Sequence, residues 1–86
     1  MYYHYVLLLV NNKLYNGFSN DLKTRFTEHQ DGKVKSTKNF RPVKLVYYEA
    51  FLNKKDALRR EKYFKTDKGK KVIRIMLKEY FSEVKK

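Results

Sequence analysis

From Tyr2 to Val10 the chain reads Tyr-Tyr-His-Tyr-Val-Leu-Leu-Leu-Val, aromatic or aliphatic at every position but His4. Such a run has neither the strict alternation of a half-exposed strand nor the spacing of a surface helix. It predicts a strand buried on both faces. A strand of that kind needs partners beside it and helices packed on the sheet it joins, and an 86-residue chain must supply both from what remains. The uninterrupted stretch Tyr5–Val10 is far shorter than the ~20 residues needed to span a bilayer. No basic segment precedes it, so it does not read as a signal peptide. The expectation is a protein without a membrane segment, in the cytoplasm.

The remaining segments supply those partners. Asn11-Asn12 is a turn signal, because Asn tolerates the left-handed region. Lys13–Phe18 then forms a second strand and closes a hairpin. Ser19, Asn20 or Asp21 can cap a helix running through Gln30, with Leu22 and Phe26 as a thin apolar stripe and Gly32 as terminator. Lys33–Arg41 is a polar, basic loop closed by Pro42, and Val43–Phe51 is a third strand. Asn53 caps a helix over Lys54–Lys65, which Asp67-Lys68-Gly69 breaks. Ile73, Met76, Leu77, Tyr80 and Val84 share helical spacing within a last helix over Lys70–Val84, and Lys85-Lys86 form an exposed basic tail. The order β-β-α-β-α-α predicts an α+β fold, a mainly antiparallel three-stranded sheet with helices packed on it, in one domain over 1–86.

Charge narrows the partner. Twenty-one Lys and Arg face nine Asp and Glu, a formal net charge of +12. That excess points to a polyanion, most often nucleic acid. The plainer reading, basic residues kept for solubility, is compatible with the predominance of Lys. Hydrophobic residues make up 42% of the chain and aromatics 16%, enough for a core and against intrinsic disorder. The absence of Cys excludes a disulfide scaffold, a thiolate zinc site and a cysteine nucleophile, and fits a reducing compartment.

Several polar residues fall where apolar ones are expected. At 100° per residue, Arg25 and His29 lie beside Leu22 and border the buried stripe of the first helix. Glu61 sits between Ala57, Leu58 and Phe64, although Glu is almost never fully buried unpaired. It is either paired internally with an Arg or placed at the stripe's edge, reaching solvent. Tyr5 and Tyr15 share a face only if the hairpin loop is three residues long, including Lys13; a two-residue Asn11-Asn12 loop puts them on opposite faces.

These residues resemble the small stand-alone proteins of the GIY-YIG nuclease superfamily, relatives of the nuclease domain at the N-terminus of the excinuclease C subunit. Tyr3-His4-Tyr5 corresponds to the first motif, keeping its final Tyr. Tyr15-Asn16-Gly17 corresponds to the second, with Asn16 in place of the usual apolar residue. Ten residues separate Tyr5 from Tyr15, as is typical of the family. Ser19–His29 resembles the family helix, with Arg25 and a His four residues on. Lys35–Pro42, Lys44–Glu49 and Ala57–Lys62 resemble the stand-alone members as well. The match covers about Tyr2 to Lys71. No Asn follows Asn53, so the downstream Asn of larger members has no counterpart.

The resemblance implies the GIY-YIG fold and a metal-dependent endonuclease acting on DNA, with RNA as a further candidate, in repair or recombination. It implies that Glu61 holds one divalent cation, Mg²⁺ or Mn²⁺; a hard cation takes oxygen ligands and keeps several waters, so one carboxylate suffices. Arg25 would grip a phosphate oxygen, Tyr5 and Tyr15 would orient or deprotonate the water, and His29 would carry a proton near its ordinary pKa of ~6.5. Lys33, Lys35, Lys38 and Arg41 would steer the nucleic-acid backbone without reading sequence. With no helix-turn-helix or zinc module, selectivity is expected to be structural or weak. The chain is expected to act as a monomer or weak homodimer. The competing readings are a nucleic-acid-binding module with a degenerate site, and a basic protein that meets an acidic partner.

Overall fold

The computed structural model describes residues 1–84, and the Lys85-Lys86 tail lies outside the described residues. Strands β1 (Tyr2–Leu8) and β2 (Leu14–Ser19) form the hairpin; α1 (Leu22–Gln30) follows. After the basic loop come β3 (Lys44–Phe51), α2 (Lys54–Phe64), α3 (Asp67–Met76) and α4 (Lys78–Val84). The sheet order is β2-β1-β3, with both pairings antiparallel. The long apolar run is thus the central strand, and residues His4 through Leu8 are buried on both of its faces. The fold is α+β, three antiparallel strands in an open sheet flanked by helices.

Side-chain alternation divides the core in two. On one face Tyr5, Leu7, Leu9 and Val43 pack with Tyr15, Leu22, Phe26 and Leu45, which brings in α1. On the other, Val6, Phe64 and Ile73 pack with Leu14, Val46, Tyr47 and Leu77, which brings in α2 and α3. An irregularity between Val6 and Leu7 shifts the β3 register, so that Tyr5 faces Tyr48 while Leu7 faces Leu45. Gln30 ties the end of α1 to the start of β3: its amide donates to the Val43 carbonyl at 3.0 Å and accepts from the Val43 N–H at 3.3 Å.

The hairpin settles the question of faces. Leu9 N–H donates to the Lys13 carbonyl, and Asn12 N–H to the Leu9 carbonyl, both at 2.9 Å. The loop is therefore Val10-Asn11-Asn12, with Asn12 left-handed at φ 68°. It has three residues, as the shared-face alternative requires, but begins at Val10 and leaves Lys13 paired. Tyr5 then opposes Gly17 and Leu7 opposes Tyr15, so Tyr5 and Tyr15 lie on the same face.

Helix ends differ from expectation at the C-terminus. Asp21 caps α1 and Asn53 caps α2, each accepting from a backbone N–H. Asp67-Lys68-Gly69, expected to break the chain, forms the first turn of α3 instead. Thr66 is the cap, its hydroxyl accepting from the Gly69 N–H at 3.0 Å, and the break falls at Lys65-Thr66. Gly69 is there because α3 crosses α2 closely: a Cβ would stand within 2.6 Å of Phe64 Cα and collide with the Tyr63 carbonyl. The single last helix expected over Lys70–Val84 is two helices, α3 and α4. Leu77 leaves helical geometry between them, and α4 turns so that Phe81 is buried beneath the Arg74 guanidinium, 5.0 Å from the ring centroid. Among the described residues no helix is long and apolar enough to cross a membrane.

The α2–α3 crossing makes a direct prediction. Gly69→Ala should lower stability by about 1–3 kcal/mol through overpacking against backbone that cannot yield. The exposed neighbour Lys70→Ala should stay within about 0.5 kcal/mol. Urea midpoints of the two variants check this; equal midpoints would mean that the crossing is looser than described.

Candidate active site

Gly17 is the position that lets the site exist. A Cβ on it would collide with the ring and hydroxyl of Tyr5, which lies across β2 at that point. The phenol reaches over the edge strand toward α1, where its hydroxyl meets His29 Nε2 at 2.8 Å. His29 Nδ1 in turn lies 2.8 Å from the Thr37 hydroxyl, which the basic loop folds inward. His29 and Thr37 are fully buried and Tyr5 is 1% exposed. Tyr15 stands edge-on to the same imidazole, ring centroids 5.2 Å apart, and is only half-buried. The imidazole is thus wedged between two phenols, one inside and one toward solvent.

Arg25 arrives from α1, one turn before His29. Its side chain is 37% exposed and pairs loosely with Glu28 at 3.3 Å. Glu61 arrives from α2 with a side chain 21% exposed, and its partner is Lys65, 3.3 Å away on the next turn. Among the described residues no Arg pairs with Glu61: it is the edge-of-stripe carboxylate, with a Lys partner. Burial pushes the Tyr5 phenol up to about 12; neighbouring Arg25 opposes this, while Tyr15 and Glu61 add to it. The charges of Arg25 and Glu61, from helices on opposite faces, therefore both bear on this phenol, with opposite effect.

His29 does not behave as a surface imidazole. Burial, and then the Arg25 charge, push it down to about 4, with Glu28 opposing weakly. It is neutral at physiological pH, one nitrogen donating and one accepting between Tyr5 and Thr37. That corrects the expectation of a proton carrier titrating near 6.5: the group is a fixed hydrogen-bond partner. Among the basic-loop residues, Lys33, Lys35 and Lys38 are exposed. Arg41 holds the loop together, donating to the carbonyls of Lys38 at 2.9 Å and Gln30 at 3.2 Å.

The donor set admits one kind of metal site. Among the described residues no cluster of three or more His, Asp, Glu or Cys side chains converges. Glu61 offers a single carboxylate with one oxygen free of the Lys65 contact, which suits a hard cation that keeps most of its water and does not suit zinc.

The residue pattern behind this geometry matches the GIY-YIG catalytic domain over residues 1–74. The chain belongs to the GIY-YIG family. Its relatives include a UPF0213 protein of Lacticaseibacillus paracasei, 46% identical over 65 residues, covering 74% of this chain and 73% of that one. Another, from Bacillus pumilus, is 44% identical over 71 residues, covering 81% and 72%. The solution NMR structure of a UPF0213 protein from Bacillus halodurans superposes with a TM-score of 0.57 at 30% identity, covering 88% of this chain and 85% of that one. GIY-YIG membership makes this a nuclease-type domain with nucleic acid as the substrate class, in keeping with its charge.

One set of residues escaped sequence reasoning. On the opposite face of the sheet, His4, Asn16, Tyr47, Glu49 and Arg60 form a polar cluster within an otherwise apolar layer. The signal was present: His4 is the one polar residue in the apolar run, and Asn16 replaces an apolar residue of the second motif. Burial raises the Glu49 carboxyl, but hydrogen bonds from Arg60, Tyr47 and His4 outweigh it and hold the group at about 2.

Both shifts act on stability in the same direction. An unfolded His29 titrates near 6.5 and the folded one near 4, so the unfolded state takes up the proton first as pH falls. The stabilisation is present above pH 6.5 and is lost down to about 4. Glu49, depressed from 4.5 to about 2, extends the loss through that lower window. Each contributes up to about 3 kcal/mol. Urea midpoints should be level from pH 8 to 7 and fall steadily from 6.5 to 3, while the His29 ring signals stay unshifted from pH 8 to 5. A midpoint that is level down to pH 4 would contradict the burial of a neutral His29.

Proposed function

We propose that this protein is a divalent-metal-dependent endonuclease that hydrolyses DNA phosphodiester bonds, with structure-selective or weak sequence preference, in repair or recombination. The observation that carries the reading is the buried Tyr5–His29 hydrogen bond, with Tyr15 edge-on to the same imidazole and Arg25 one turn before it on α1, while the Glu61 charge also bears on the Tyr5 phenol.

The roles follow from exposure and charge. The Arg25 guanidinium is a planar fork beside the site, suited to a phosphate oxygen whose charge grows toward the pentacovalent transition state. Tyr15, on the solvent side of His29, is the phenol placed to orient the attacking water. Tyr5 stays protonated, with a pKa near 12, and keeps its hydroxyl on His29. It serves as a positioning residue rather than an equal partner of Tyr15. His29 and Thr37 complete the wall and carry no net charge that would compete with Arg25 for the phosphate. Glu61 would hold Mg²⁺ or Mn²⁺, exchanging its Lys65 contact, a surface pair worth only about 0.3–0.5 kcal/mol. Such an ion, when bound, supplies positive charge to the reacting phosphate and acidifies a water. Lys33, Lys35 and Lys38 steer the backbone, which makes affinity salt-dependent.

A second reading has one observation in its favour: Glu61 is already ion-paired with Lys65. In that case the protein binds nucleic acid without cutting it. A cleavage assay on duplex, branched and single-stranded DNA and on RNA, with Mg²⁺ and with chelator, separates the two. Arg25→Ala, Tyr15→Phe and Glu61→Gln should each lower kcat by about 10²-fold or more while binding persists. Cleavage that survives unchanged in all three sinks the site assignment. Salt-sensitive binding without turnover in the wild type selects the binding module.

A further inference from the structure

The polar cluster on the far face of the sheet, buried at His4 and Asn16 and partly open at Glu49 and Arg60, has no part in the chemistry above, yet it grips the helix that carries Glu61. We propose that His4, Asn16, Glu49 and Arg60 are positioning residues that fix the rotation of α2 and so aim Glu61 at the Tyr5 edge of the sheet. The inference rests on the nuclease reading and adds to it the residues that hold the carboxylate in place.

The contacts form a continuous chain across all three strands. His4, fully buried on β1, donates from Nε2 to Asn16 Oδ1 on β2 at 2.8 Å, and its Nδ1 lies 3.2 Å from Glu49 Oε2 on β3. Glu49 receives a two-pronged contact from Arg60 of α2, Nε at 2.9 Å and Nη2 at 2.7 Å, and a third hydrogen bond from the Tyr47 hydroxyl at 2.7 Å. Asn16 donates its amide to the Phe64 carbonyl at 3.2 Å, also on α2. The Phe64 ring lies parallel to His4, centroids 5.1 Å apart, and the Arg60 guanidinium stacks over the same ring at 4.7 Å. No buried side-chain polar atom among the described residues lacks a partner.

These grips bracket Glu61. Arg60 precedes it by one residue and Phe64 follows it by three, so both handles fall on one helical face and Glu61 flanks that face at roughly 60–100°. Turning or sliding α2 would break the Glu49 fork and the Asn16 bond together. At the buried His4–Asn16 pair, apolar side chains of similar volume would pack at least as well, since polar groups buried in pairs seldom add net stability. What directional hydrogen bonds add is one geometry. Asn16 and His4 also explain each other: the amide on β2 is tolerated because β1 supplies an imidazole.

Arg60→Lys keeps the charge and the stem but loses the fork. It should fold, with KM for DNA near the wild-type value because the steering lysines are untouched, and with kcat lowered about 10-fold or more, the scale of a small misplacement. The double variant His4→Phe with Asn16→Val, which keeps the layer apolar and filled, should show the same split. In NMR spectra of the double variant, the Glu61 side-chain signals should move while those of Ile73 stay. Full kcat in both folded variants, with Glu61 signals unmoved, overturns the proposal. If the wild type cuts nothing, the nuclease reading alone has failed, and the Glu61 signals of the His4→Phe, Asn16→Val double variant decide: movement upholds the positioning network, constancy overturns it.

Discussion

The hydrogen bond between Tyr5 and His29 organises one side of this molecule. It requires Gly17 to leave room for a ring, a three-residue hairpin loop to bring Tyr5 and Tyr15 to one face, and α1 to enter at the angle that buries His29. Each of these is a backbone condition set far from the hydroxyl itself. Once met, they leave a wall of neutral, paired groups beside which Arg25 and Tyr15 stand half-exposed. In the function proposed above, the net charge of +12 would draw nucleic acid to the molecule, and this wall would set where a phosphate meets the Arg25 guanidinium.

Much of the fold was legible because it depends on burial patterns. An apolar run without alternation reads as a strand buried on both faces, and β1 is indeed the central strand, but the position of β3 beside it was not legible and comes from the structure. The cap Asn53 was readable from residue type, and Asp21 was one of three candidates among which the structure decides. The error at Asp67-Lys68-Gly69 has a physical origin: a Gly read as a breaker was serving a close helix crossing, and only the tertiary contact reveals it. The split at Leu77 was equally hidden, since the apolar spacing runs through it unbroken.

The candidate site was legible in its members and not in their states. Tyr5, Tyr15, Arg25, His29 and Glu61 were singled out by motif and helical face. What a linear chain cannot express is the degree of burial, which turns His29 from a titrating group into a neutral one and separates the roles of two similar tyrosines. Arg41 is the same lesson in reverse: a basic residue in a basic loop, engaged with backbone carbonyls. The His4–Asn16–Glu49–Arg60 chain was missed because its members lie on four different elements, and each taken singly looks like an oddity.

The central claim is that the functional centre lies where Tyr15, Arg25 and Glu61 meet. Paramagnetic broadening by Mn²⁺, followed residue by residue in NMR spectra, tests it without any assay of turnover. The account predicts broadening confined to Glu61, Tyr15 and Arg25 and their immediate neighbours, abolished in Glu61→Gln. Broadening centred on other carboxylates such as Asp21 or Asp31, or persisting unchanged in Glu61→Gln, would contradict it.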